Sequence, residues 1–157
     1  MKKWLTQVTP LAAIASLAVF GAARADFTCS NATLTGTYAV GVTNLTTRQV
    51  VADIAVFDGN GNFTQRDYQG NSVPAEFAPP GQERGTYMVN PDCTGSAVIN
   101  FNVPGGGGML NNLFVISDGG RHFNGVISHL IPPFSTEPVS VQMTFEGWKI
   151  APAQNNQ

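Results

Sequence analysis

From Thr35 to Ile150 the chain alternates apolar and polar residues with a period of two, and turn residues interrupt it every eight to twelve positions. No segment carries a sustained helical stripe, so the chain must fold as many short strands. Expected strands are Thr35–Leu45, Gln49–Phe57, Phe63–Gln69, Arg84–Asn90, Ser96–Val103, Asn112–Ser117, Arg121–Leu130 and Val139–Ile150. Asp58-Gly59-Asn60-Gly61-Asn62 is the clearest hairpin signal, because Gly and Asn tolerate the positive φ that tight hairpins demand. Asp118-Gly119-Gly120 and Pro91-Asp92-Cys93-Thr94-Gly95 close two more hairpins. The proline-rich stretch 70–83, the glycine run Gly105–Gly108 and residues 131–138 are expected to be loops.

Short connections between consecutive strands favour antiparallel neighbours. An open eight-stranded meander would expose two edges, and closure removes both. The chain is therefore expected to be all-β, an eight-stranded antiparallel up-and-down barrel, with a β-sandwich of two four-stranded sheets as the alternative. The phrase Gly36-Thr37-Tyr38-Ala39-Val40 returns as Gly85-Thr86-Tyr87-Met88-Val89 and suggests two similar four-stranded halves. An outer-membrane barrel fits less well, since several expected strands are shorter than the nine to eleven residues of a spanning strand and the chain ends in a polar tail.

The first 25 residues have the anatomy of a secretory signal peptide: Lys2 and Lys3, an apolar run from Leu11 to Ala23, and Ala23-Arg24-Ala25 as the cleavage site. Residues 26–157 are then a single exported, soluble domain, not membrane-spanning once the signal is cleaved, and periplasmic or secreted. Within it five basic residues (Arg48, Arg66, Arg84, Arg121, Lys149) face ten acidic ones, a formal charge of −5. So sparse an acidic surface offers nothing to a phosphate backbone, and no nucleic acid partner is expected. Export makes a disulfide the simplest use of the two cysteines, Cys29 and Cys93. A metal-binding thiol would need a second ligand at metal spacing, and neither cysteine has one nearby.

Convergent polar groups are few. His122 and His129 stand seven residues apart on one expected strand, an odd separation that sends them to opposite faces. Asp53 shares a face with Val51, Ala55 and Phe57; pointing inward it is a buried hydrogen-bonding group or a ligand contact, pointing outward a surface residue. Glu146 opposes the apolar Val139–Phe145 face and is expected in solvent. The serines form no nucleophile elbow, the glycine run precedes neither lysine nor helix, and Asp58–Asn62 lacks the downstream glutamate of a calcium loop. No catalytic residue, metal or cofactor is assigned. Aromatic residues must fill most of the interior, and an eight-stranded barrel is either packed solid or just wide enough for one small ligand. A cavity would open between the long loops 71–83 and 131–138. The residues chosen for a small hydrophobic ligand are Tyr38, Asp53, Phe57, Tyr87, Phe101 and His129.

Three motifs, Gly36-Thr37-Tyr38, Phe57-Asp58-Gly59-Asn60-Gly61-Asn62 and Gly85-Thr86-Tyr87-Met88-Val89-Asn90-Pro91-Asp92-Cys93-Thr94-Gly95, carry a family likeness. The chain resembles a group of small exported bacterial proteins, most of them uncharacterised, with the pattern GTY…FDGxGN…GxYxVNxDCTG. The resemblance implies a barrel similar to the calycins or to the allene oxide cyclase and dirigent barrels. In those groups the interior often binds a small hydrophobic molecule, and in some it steers a cyclisation. Three functions follow: a barrel binding a small, largely apolar ligand; a cyclase or isomerase using Asp53 or His129; or a structural or interaction protein with a solid core.

Overall fold

A computed structural model describes residues 28–68, 83–103 and 106–151; the expected signal peptide and the stretch 70–82 lie outside them. Eight strands follow one another: β1 (Thr35–Asn44), β2 (Val50–Asp58), β3 (Asn62–Tyr68), β4 (Glu83–Val89), β5 (Thr94–Val103), β6 (Gly106–Ser117), β7 (His122–Ile131) and β8 (Met143–Ala151). Each pairs antiparallel with its sequence neighbours, and β1 pairs with β8 from Thr37↔Ala151 to Asn44↔Met143. The sheet is thus the closed barrel expected from the alternation, and the sandwich is set aside.

Two segments depart from expectation. Within the glycine run, Gly106, Gly107 and Gly108 are strand and pair with Val103, Asn102 and Phe101, while Gly105 lies outside the described residues. Glycine is required there by space, since a Cβ on Gly108 would stand 2.2 Å from Cζ of Phe101. At the other end, the last strand begins at Met143, and Val139 contributes only a lone bridge to Leu130.

The same device recurs around the wall. Phe63 lies across from Gly85, Phe114 from Gly95, Phe123 from Gly147 and Phe145 from Gly125, and a Cβ on any of these glycines would meet the ring within 2.6 Å. An aromatic ring laid over a glycine packs against backbone and lets the strand bend, which closure requires. Gly85→Ala is therefore expected to cost about 1–3 kcal/mol, because its Cβ would press on Phe63 Cζ at 2.2 Å and Val98 O at 2.6 Å. Gly41→Ala, with no atom within 4 Å of its Cβ, is the control and should stay within about 0.5 kcal/mol of the parent in urea titrations. Equal midpoints for the two variants would refute the packing argument.

One end of the barrel is closed by the segment that precedes β1. The Cys29–Cys93 disulfide, Cα atoms 5.0 Å apart, ties it to the β4–β5 turn, and Cys29 N donates to Pro91 O at 3.2 Å. A turn of 3-10 helix, Asn31–Thr33, then delivers Leu34 into the core at 1 % exposure. Tyr87 donates its hydroxyl to Leu34 O at 2.8 Å and Asn31 O at 3.0 Å, while Asn31 Oδ1 accepts Val89 N at 2.8 Å. Tyr38, fully buried, donates to Gly120 O in the β6–β7 turn. The repeated GTY phrase thus marks β1 and β4, three strands apart, and not two four-stranded halves. It repeats because both strands meet one demand, a tyrosine that fills the closed end and ties down a turn by its hydroxyl.

The β2–β3 turn is the hairpin its sequence predicts. Asp58 Oδ1 accepts the backbone N–H of Asn60 (2.7 Å) and Asn62 (2.9 Å), with φ of +78° at Gly59 and +102° at Gly61. These bonds hold the Asp58 carboxyl below its ordinary range.

Candidate functional site: the barrel cavity

Above the aromatic layer formed by Tyr38, Phe57, Phe63, Tyr87 and Phe123, whose neighbouring ring centroids lie 5.0–6.3 Å apart, the interior opens into a cavity of about 340 Å³. It runs toward the end bordered by the β1–β2 turn and the β7–β8 connection, and residues from all eight strands line it. The interior is therefore solid at the closed end and hollow at the other. The wall from β5 to β8 is apolar, with Ile99, Leu110, Ile127 and Phe145 among its side chains, except for Asn112.

The opposite wall is polar for a reason of register. Asp53 on β2 is the direct partner of Asp67 on β3, and two residues earlier on β3 Gln65 is the partner of Glu83 on β4. Period-two alternation points all four inward, so three carboxyls and one amide share a patch lining the cavity. Gln65 Nε2 donates to Asp53 Oδ2 at 3.1 Å and to Asp67 Oδ1 at 2.9 Å. Asp53 is only 3 % exposed, and burial, then the Asp67 and Glu83 carboxyls, push it up to about 9. Burial and the Asp67 carboxyl push Glu83 up to about 8. Both are neutral acids at pH 7, each sharing a hydrogen bond with Asp67. Two buried acceptors, Asp53 Oδ1 and Asn112 Oδ1, have no donor among the described residues.

Of the six residues singled out from sequence, Asp53, Phe57 and Phe101 line this cavity. Asp53 points inward, which settles the alternative that sequence left open. Tyr38 and Tyr87 are interior but lie in the closed end, where their hydroxyls hold turns. His129 is corrected: it stands exposed on the outer wall, its Nδ1 3.3 Å from Ser128 Oγ. The physical reason is a bulge. Asn111 pairs with His129 but Asn112 pairs with Ile127, so Ser128 is an extra residue and the facing of β7 reverses after it. His122 is also on the outer wall, its ring stacked on Trp148 at 3.9 Å and Nε2 3.9 Å from exposed Glu146. The two histidines thus share a face, contrary to the odd-spacing argument. Sequence reasoning missed Gln65, Asp67, Glu83 and Asn112, although Gln65 and Asp67 alternate with outward residues and gave a usable signal.

No family model matches the chain. No curated protein and no solved structure matches it either. Among the described residues no group of three His, Cys, Asp or Glu side chains has the arrangement of a metal site, and no helix is long and apolar enough to cross a membrane.

Proposed function

We propose that this is an exported barrel, periplasmic or secreted, that holds a small, largely apolar molecule in its interior. The cavity of about 340 Å³ carries the reading: it is closed below by the disulfide-tied segment and aromatic layer, and walled mainly by apolar side chains. Such a volume suits one small organic molecule. The Lys2-Lys3 and Ala23-Arg24-Ala25 signal and the disulfide support an oxidising compartment outside the cytoplasm. The motif resemblance to small exported barrels of the calycin and allene oxide cyclase type supports the same reading. Titration with Nile red, a neutral apolar dye, is expected to show one saturable site, and Leu110→Trp, which enlarges a lining side chain, to weaken it at least tenfold. Absence of saturable binding, together with native mass spectra free of any co-purifying small molecule, would overturn it.

Asp53 favours a second reading, a cyclase or isomerase. A carboxyl kept protonated in an apolar cavity is equipped to donate to a developing oxyanion or carbanion. His129, on the outer wall, has no part in it.

A further inference from the structure

We infer that the ligand of this cavity is an organic cation, an amine whose ammonium head hydrogen-bonds to the Asp53, Asp67 and Glu83 carboxyls while its apolar body lies against the β5–β8 wall. The inference rests on the cavity-binding reading and names the chemistry of its ligand. Three observations carry it. Three carboxyls converge on one wall through the register of β2, β3 and β4. No Lys, Arg or His lines the cavity among the described residues, so the lining supplies no countercharge. Asp53 and Asn112, both at least 95 % buried, line the cavity, and neither Asp53 Oδ1 nor Asn112 Oδ1 has a hydrogen-bond donor among the described residues.

A pocket holding three carboxyls and no basic side chain selects ligands that bring N–H groups. A neutral hydroxyl would satisfy one orphaned acceptor and leave Asp53 and Glu83 protonated. An ammonium satisfies several acceptors and provides the missing positive charge, so the acids ionise around it and their protons leave to solvent. The groups that titrate against the ligand are Asp53 on β2 and Glu83 on β4, with the Asp67 carboxyl on β3 beside them; β1 and β5 to β8 add no titratable side chain to the lining. An anionic ligand would meet like charge.

The test compares octylamine, octan-1-ol and octanoate by calorimetry at pH 7, in two buffers of different ionisation enthalpy. Octylamine should bind at least tenfold more tightly than octan-1-ol, octanoate most weakly. Amine binding should release on the order of one proton, and its affinity should rise between pH 6 and 8 by up to about tenfold per unit for each proton displaced, while octan-1-ol stays flat. Asp53→Asn with Glu83→Gln should cut the amine-to-alcohol ratio to below about threefold, whereas Glu146→Gln, on the outer wall, should leave it unchanged. Equal affinity for amine and alcohol, or amine binding without proton release, would overturn the inference and leave the cavity reading standing. Binding of none of the three probes would overturn both. The proton-release measurement on the parent protein decides the matter even where the double variant does not fold.

Discussion

Asp53→Asn is expected to make the barrel more resistant to urea than the parent protein at pH 8. In the unfolded chain Asp53 and Glu83 titrate near 4. In the folded barrel burial, with Asp67 beside them, raises them to about 9 and about 8. Between pH 4 and these values the folded state holds protons that the unfolded state has released, so unfolding stability falls as pH rises, by about 1.4 kcal/mol per pH unit for each proton retained. The contribution is fully present below pH 4 and lost by pH 9. Asparagine is a neutral isostere whose carbonyl can still accept from Gln65 Nε2. Urea midpoints measured from pH 5 to 9 should show the parent losing several kcal/mol and the variant a slope shallower by about one proton. Parallel slopes would show that Asp53 is ionised in the folded barrel.

Removing the Cys29–Cys93 disulfide is the second large effect. Its sequence separation of 64 gives it a chain-entropy value of about 4 kcal/mol. The bond also holds the segment that plugs the closed end, where Leu34, the acceptors of the Tyr87 hydroxyl and the Asn31 cap on Val89 all arrive together. Cys29→Ala with Cys93→Ala should lower Tm by roughly 10–20 °C. Reduction of the parent protein should give the same shift. A loss under about 1 kcal/mol would mean that the segment stays docked through its hydrogen bonds alone.

Much of this barrel is legible in the sequence because its causes are local. Asp58–Asn62 and Asp118–Gly120 announce their turns by residue type, and alternation sets which face of β1 or β2 turns inward. The two cysteines name their only intramolecular pairing. What escapes is decided by the neighbouring strand. Gly106–Gly108 looks like a linker until Phe101 is known to cover Gly108, and Ser128 gives no sign that it will reverse the facing of β7. The carboxyl patch depends on a register joining residues 14 to 18 positions apart on β2, β3 and β4, which period-two patterning alone does not fix. Asp53 is visible as an anomaly within an apolar strand, and Gln65 and Asp67 as alternating positions; their meeting with Glu83 is not.

The glycine–phenylalanine pairs bear on how such a vessel changes capacity. A ring folded flat over a neighbouring glycine occupies the perimeter and leaves the axis clear. Phe101 over Gly108 and Phe145 over Gly125 do this in the wall of the cavity itself. A Cβ at Gly108 would stand 2.2 Å from the Phe101 ring and crowd the bore, whereas one at Gly125 would first meet Leu113 O at 2.2 Å. Selection for a slimmer guest can therefore act at Gly108, which has no side chain, leaving the carboxyl chemistry of β2, β3 and β4 intact.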